Sequence, residues 1–230
     1  MSIPRTLEVE VMDTPQEALD YNRMDHAEVN RLFAADLRSA GFDGGDVLDV
    51  GTGTALIPIE ICQQAKIGPL SRRMRIMAID LAVEMLNLAR YNLEIHGVRE
   101  QVQVSQVDAK QMPFATEMFD VVISNSIVHH IPEPARVIAE CVRVLRPGGL
   151  MFIRDLMRPQ TEEQVRHFVQ QYTGQENPHS QQMFGDSLRA ALTLEEIRQL
   201  VVAAGAPASS VQATSDRHWT WSWRKPEQAN

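Results

Sequence analysis

Hydrophobic positions along this chain follow two rhythms. Short apolar runs, continuous or at every second residue, read as strands: Val47–Val50, Arg75–Asp80, Val102–Asp108, Asp120–Asn125 and Leu150–Ile153. Between them apolar residues return at helical spacing. One set is Leu56, Ile59, Ile61 and Cys62; another is Val83, Leu86, Leu88, Ala89 and Leu93, closing at His96-Gly97; a third, within Pro132 to Leu145, is Ala135, Ile138, Ala139, Val142 and Leu145. Arg146-Pro147-Gly148-Gly149 then reads as a stop and turn. Ahead of the first strand, Thr14-Pro15-Gln16-Glu17 is a helix start, with Thr14 as cap, Pro15 in the first turn and Glu17 answering the cap. Its pattern runs through Ala18, Leu19, Tyr21 and Met24, then Val29, Leu32, Phe33 and Leu37, and stops at Gly41, as one broken helix or two.

Beyond residue 156 the rhythm loosens. Thr161-Glu162-Glu163-Gln164 and Thr193-Leu194-Glu195-Glu196 are capping boxes that open two helices. Residues 173–186, rich in Gly, Gln and Asn, read as a loop, with a short lid helix over Ser187–Leu192. Val211–Ser215 and Trp219–Lys225 read as a terminal hairpin whose Trp219, Trp221 and Trp223 share one face, packed on a helix.

Strands alternating with helices predict an α/β fold: a Rossmann-like, doubly wound, mainly parallel sheet of seven strands with an antiparallel C-terminal hairpin and N-terminal helices. One unit spans residues 1–230, divided into an N-terminal helical cap (1–41), a ligand-binding core (42–155), substrate-side helices (156–210) and the hairpin (211–225). In such sheets ligands sit beyond the carboxyl ends of the strands.

Composition narrows the classes of function. The chain has 230 residues and a net charge of −8, without runs of Lys and Arg, which argues against holding polyphosphate backbones over a wide surface. The first residues lack the apolar stretch of a signal peptide, and no apolar run approaches the ~18 residues of a membrane span. The two cysteines, Cys62 and Cys141, fall inside amphipathic helices as buried free thiols. A cytoplasmic enzyme fits this balance; the oligomeric state is open, a dimer among the options.

The chemistry-bearing residues stand at strand ends. Asp49 lies inside the first strand, two residues before Gly51-Thr52-Gly53; Asp80 ends the second strand and Asp108 the third. Glycines let the chain reverse and let a ligand approach the backbone. A carboxylate at the tip of the second strand can accept both hydroxyls of a ribose; one after the third can accept from the exocyclic amine of adenine; one beside the turn can fix an ammonium group, directly or through water. Together they suit a ligand with adenosine at one end and an amino acid at the other. A phosphate-binding G-x-x-x-x-G-K-[ST] loop is absent, and Ala55 falls one position early for a nicotinamide fingerprint.

Val47 to Ala55 resembles motif I, (D/E)-x-G-x-G-x-G, of the class I S-adenosylmethionine-dependent methyltransferases, with Ala55 in place of the third glycine. Asp80-Leu81, Asp108-Ala109, Phe119 to Ser126 and Val144 to Leu150 resemble the later motifs of that family, in order and at the right spacing, over roughly residues 40–155. The resemblance implies S-adenosyl-L-methionine as cofactor, S-adenosyl-L-homocysteine as product, and cofactor contacts from Asp49, Gly51, Thr52, Gly53, Asp80, Leu81, Asp108, Ala109, Asn125 and Ser126, with Tyr21 closing over them from the N-terminal cap. Asn125-Ser126-Ile127-Val128 lacks the (N/D)-P-P-(Y/F) of enzymes that methylate bases, which weakens a nucleic-acid substrate. His129-His130-Ile131-Pro132 resembles the small-molecule, type 11 branch related to quinone and sterol-type methyltransferases. The alternatives are a protein or RNA methyltransferase, or a binding module that transfers nothing.

His129 or His130 can serve as a base near the methyl acceptor. Adjacent histidines rarely ligate one metal together and no acid completes a site in the sequence, so no metal is expected. Arg154, Arg158, Arg217 and Trp219 lie at the carboxyl edge of the sheet and are candidates to bind the substrate, the arginines through an anionic group.

Overall fold

The computed structural model describes residues 2–8, 13–24, 26–67 and 73–227. Residues 1, 9–12 and 25 of the expected cap, and residues 68–72 and 228–230, lie outside them. The cap forms two helices, α1 (Pro15–Arg23) and α2 (Ala27–Ser39). The start of α1 follows from local chemistry: the Thr14 hydroxyl accepts from the Glu17 amide, the Glu17 carboxylate accepts from the Thr14 amide, and Pro15 occupies a position whose N–H has no helical partner.

Alternating units follow: β1 (Gly45–Val50), α3 (Leu56–Ile67), β2 (Met74–Asp80), α4 (Val83–Ile95), β3 (Val102–Gln106), β4 (Phe119–Asn125), α5 (Pro134–Val144) and β5 (Leu145–Leu156). Three helices come next, α6 (Glu162–Thr173), α7 (Pro178–Ala190) and α8 (Leu194–Ala203), then β6 (Val211–Ala213) and β7 (His218–Arg224). The seven strands lie in one sheet in the order β3-β2-β1-β4-β5-β7-β6. β1, β2, β3, β4 and β5 are parallel, and β7 runs antiparallel to both β5 and β6. The strand order reverses beside β1, so the carboxyl ends of β1 and β4 flank the crevice where such folds bind ligands.

Apolar residues of both sheet faces are buried. On one face Val47, Ile76, Ala78, Val121, Ile123 and Phe152 pack against Phe33 and Leu37 of α2, Ile61 and Cys62 of α3, and Ala89 and Leu93 of α4. On the other, Leu48, Val50, Ile79, Val122, Met151 and Ile153 meet Val137, Ile138 and Cys141 of α5 and Ile197 and Val201 of α8. Trp219 and Trp221 are fully buried in this second layer, with Trp223 stacked on Trp221 at 5.9 Å, so the alternating tryptophans do pack on a helix layer. Burial pushes the Cys62 thiol to about 11 and the Cys141 thiol to about 12, which leaves both protonated and inert.

Two expectations need correction. Most of 173–186, read as a loop with a short helix after it, belongs to α7, which runs unbroken to Ala190. Its start was visible: the Asn177 side chain accepts from the Ser180 amide and Pro178 follows as the first helical residue. The Arg146-to-Gly149 turn is a bulged entry into β5, paired to β4 at Phe119↔Leu145 and again from Val121↔Leu150. A Cβ on Gly149 would lie 2.9 Å from the Asp120 carbonyl oxygen, so the strands can approach here only with glycine.

Candidate functional site

The carboxyl ends of β1, β2, β3 and β4 enclose a cleft of about 770 Å³, part of it open to solvent. Its floor is the turn after β1. Gly51 and Thr52 both donate their amides to the Ile79 carbonyl, at 2.8 and 2.9 Å, which ties the turn to the tip of β2. Gly51 has φ +73°, and a Cβ there would lie 2.4 Å from Cδ1 of Ile127, so both conformation and space demand glycine. Ala55 holds φ +62° and is fully buried. The backbone therefore keeps the left-handed conformation that a third glycine would favour, at a cost of about 1–2 kcal/mol.

Asp80 joins the turn to α4. One carboxylate oxygen accepts from the Gly53 amide at 2.8 Å and the other from the Ala82 amide at 2.9 Å. Burial raises its pKa against these bonds. Asp108 lies across the cleft. Partial burial opposes its ionisation, but the Lys110 amide and ammonium, 2.9 and 3.1 Å away, outweigh it and hold Asp108 below the usual carboxylate range.

Asp49 is the unusual acid. It is buried at 2% exposure in the middle of the sheet, between Ala78 and Ile123 of the neighbouring strands. No group among the described residues donates to its Oδ2, and the buried Thr52 hydroxyl is the nearest donor to this carboxyl. Burial pushes the Asp49 carboxyl up to about 7; Thr52 draws it down and the Asp80 charge adds to the rise. A buried carboxylate oxygen without a donor is costly, so the arrangement fits a ligand that brings its own cationic donor.

Tyr21 of α1 closes one wall, 3.7 Å from where a Cβ on Gly53 would lie and 4.6 Å from the His26 ring. Its hydroxyl is pushed up to about 12 by burial and the charges of Asp80 and Asp49, so it stays neutral. Gly51, Gly53, Asp80, Leu81, Asp108, Ala109, Asn125 and Ser126 line the cleft with Tyr21. Asp49 and Thr52 line a narrower space beside it, shared with Tyr21, Gly51 and Asn125. One supporting residue escaped the sequence reading. Buried Asn92 of α4 donates to the Thr54 carbonyl at 2.9 Å and to Asn22 of α1 at 2.8 Å, clasping the turn and the cap together.

The two histidines part company. They share a short 3-10 turn, Val128–His130, at the end of β4. His130 lines the cleft with Ile127 and Ile131. His129 is buried beneath it, its Nδ1 2.5 Å from Oδ1 of buried Asp155. Burial alone would lower the His129 pKa, but Asp155 and Glu8 reverse this and raise it; Asp155 in turn is held low, the His129 charge outweighing its own burial. Asp155 also accepts from the Val128 and Leu156 amides, so it anchors the turn to β5. Glu8, far away in sequence, reaches both rings: its Oε1 lies 3.1 Å from His130 Nδ1 and 3.5 Å from His129 Nε2. The expectation that no acid stands beside the histidines is therefore corrected by an N-terminal segment that local pattern could not place.

The expected substrate residues are committed elsewhere and do not line the cleft. Arg154 donates to Asp36 of α2 at 2.7 Å and to Thr220 at 2.9 Å, between the rings of Phe33 and Phe152. Arg158 is buried against Glu196 and the Ala191 carbonyl. Arg217 lies 3.3 Å over the Tyr172 ring, and Trp219 is in the core. No helix among the described residues is long and apolar enough to cross a membrane.

Residues 48–153 match a family model described as a methyltransferase domain. A phosphatidylethanolamine N-methyltransferase of Cereibacter sphaeroides is 38% identical over 111 residues, 48% of this chain and 50% of the relative. A ubiquinone biosynthesis O-methyltransferase of Xanthomonas oryzae is 33% identical over 147 residues, 63% of this chain and 53% of the relative. The chain thus spans about half the length of the curated relatives it matches. In fold it is similar to a Methanococcus maripaludis protein assigned provisionally to the S-adenosyl-L-methionine-dependent methyltransferases, with TM-score 0.74, 18% identity, and 97% and 98% of the two chains covered.

Proposed function

We propose that this chain, whose residues 48–153 match a methyltransferase-domain model, is an S-adenosylmethionine-dependent methyltransferase that transfers a methyl group from that cofactor to a small-molecule acceptor. The observation that carries the reading is the set of carboxylates around the glycine turn, with Oδ2 of Asp49 buried and receiving no hydrogen bond among the described residues. Asp80 would hold the ribose hydroxyls on the lone pairs that Gly53 and Ala82 leave open. Asp108 and the Ala109 backbone would bind adenine, and Asp49 with Thr52 the ammonium end. Bound S-adenosylmethionine supplies a methyl group on a positively charged sulfur, already activated for displacement.

The protein's part is alignment and exclusion of water. Tyr21 lines one wall of the cleft, and Asn125 and Ser126 line it from the end of β4. Ser126 is fixed by the hydrogen bond its amide donates to the Arg154 carbonyl at 2.9 Å. His130, which lines the same cleft, would take a proton from an acceptor that enters protonated. The concave cleft and the net charge of −8 favour a small acceptor over protein or RNA.

Calorimetric titration with S-adenosylmethionine, S-adenosylhomocysteine and NAD tests the reading. Micromolar binding of the first two and none of NAD is expected, followed by turnover of methyl-labelled donor with a pool of metabolites. Folded protein that binds neither would overturn it; binding without turnover of any acceptor would favour a module that only holds the cofactor.

A further inference from the structure

The N-terminal segment before α1 is stitched to the far side of the site. Thr6 donates its amide to the Arg189 carbonyl at 3.2 Å, and Arg5 donates to the Ala190 carbonyl at 2.7 Å and to the carbonyls of His129 and Ile131 at 3.1 and 3.0 Å. These bonds fix where Glu8 falls. Its Oε2 accepts from Ser187 of α7, while Oε1 is buried and receives no hydrogen bond among the described residues. Oε1 faces two imidazole nitrogens, His129 Nε2 at 3.5 Å and His130 Nδ1 at 3.1 Å.

We propose that Glu8, His129 and His130 form a binding site for a divalent transition-metal ion, zinc by its donor set, in the wall between the main cleft and a second cleft beside α7.

Three features carry this. The ligand atoms all lie within 4.8 Å of one another. Tetrahedral zinc with bonds near 2.1 Å needs donors about 3.4 Å apart; Glu8 Oε1 already stands 3.1 and 3.5 Å from the two ring nitrogens, so the remaining closure, about an ångström at most, falls on the two imidazoles. The neighbouring histidines converge because they offer different atoms, the far nitrogen of one ring and the near nitrogen of the next. The 3-10 turn sets the rings side by side, tilted by 33° with centroids 4.2 Å apart. Most decisively, His129 Nδ1 is bonded to Asp155 at 2.5 Å. A carboxylate on one ring nitrogen holds a proton there, so that an ion displacing the proton on the other nitrogen finds a lone pair aimed at it, the usual support of a metal-binding histidine.

Two imidazoles and one carboxylate match zinc and its neighbours in the first transition row better than magnesium or calcium. Asp155 and Glu8 offset the nearby Arg5 guanidinium. Three protein donors leave a coordination position for water or for an oxygen of a second ligand. His130 borders the main cleft, and Glu8 borders the second cleft with Leu7, His179 and Met183. An ion there would polarise an acceptor hydroxyl and ease loss of its proton. That consequence rests on the methyl-transfer reading; the metal site does not.

The test uses the full chain, stripped with chelator and titrated with Zn2+, and with Co2+ as a spectroscopic probe. One ion per chain is expected with micromolar or tighter affinity, together with the visible Co2+ absorption of a site of low coordination number. Glu8→Gln and, separately, His130→Asn should each weaken binding at least tenfold, while His96→Asn, on the far end of α4, should not. S-adenosylhomocysteine affinity, measured alongside, shows whether each variant keeps its cofactor cleft. A folded wild-type chain that binds no ion, or variants that bind it as tightly as wild type, would overturn the site. Failure of S-adenosylhomocysteine to bind, with zinc bound, would instead sink the cofactor reading and leave the metal site standing.

Discussion

Cofactor affinity should collapse on acidification, with Asp49 setting the midpoint. Its carboxyl is raised from the ordinary 3.8 to about 7, chiefly by burial. At about 1.36 kcal/mol per unit, that rise disfavours the ionised form in the ligand-free fold by about 4 kcal/mol. The sign follows from proton binding. The folded state holds this proton longer than the unfolded chain does, so the ligand-free fold loses stability as pH climbs from about 4 to about 7. A ligand ammonium reverses the balance by selecting the carboxylate, and binding must then expel the proton. If only the ionised form binds, affinity falls about twofold at pH 7, tenfold at pH 6 and 100-fold at pH 5, relative to its alkaline limit. The titratable neighbours are Asp80, Tyr21 and His26. Asp80, itself raised by burial, steepens the acid limb; Tyr21 stays neutral; His26→Asn controls for the third. Calorimetry of S-adenosylhomocysteine binding in two buffers of different ionisation enthalpy reads affinity and released protons together. Wild type should release close to one proton per site below pH 6, and Asp49→Asn should bind weakly with a much flatter profile. Wild-type affinity that stays within about twofold from pH 8 to pH 5 would refute the assignment of Asp49 to the ammonium end.

Four other outcomes follow. Asp80→Ala removes the ribose acceptor and frees the Gly53 and Ala82 amides, and should weaken cofactor binding about 10- to 100-fold by calorimetry with the fold intact. Gly51→Ala forces a Cβ into Ile127 at φ +73° and should cost at least about 2 kcal/mol in a denaturant melt and abolish cofactor binding; adding Ile127→Ala should recover part of the stability. Asn92→Ala should cost about 1–2 kcal/mol and speed hydrogen exchange in α1, because the clasp between Thr54 and Asn22 is lost. Arg154→Ala should lower stability by about 2 kcal/mol through loss of Asp36 and Thr220 while cofactor affinity holds; a selective loss of affinity would return Arg154 to the site.

What was legible in the sequence was local. The Thr14 cap, the glycine turn and the acids at strand ends each depend on a few adjacent residues, and the alternation of strand and helix forces the rest of the core. The start of α7 was local too, in Asn177-Pro178, but polar composition masked it. Glu8 was out of reach because nothing near it in sequence places it beside residues 129 and 130. Asn92 read as one more residue of an amphipathic helix, since its partners lie 38 and 70 positions away. The arginines at the carboxyl edge were located correctly by topology. Which way their side chains turn was decided by Asp36 and Glu196, acids on helices whose packing no periodicity specifies.

The charge around the glycine turn has a further consequence for which nucleotides can enter. Asp49, Asp80 and Asp108 line the cleft and its side space, and among the described lining residues Lys110 is the one amine or guanidinium set against them. A low-dielectric crevice focuses such a field. Adenine nucleotides bearing phosphates would meet repulsion wherever their tails pass the turn, however well their ribose fitted Asp80. A ligand carrying a sulfonium and an ammonium would be drawn in by the same field. Once Asp49 is ionised, the crevice would therefore discriminate among adenosine compounds by the sign of what is attached to the ribose, before any contact with a methyl acceptor is made.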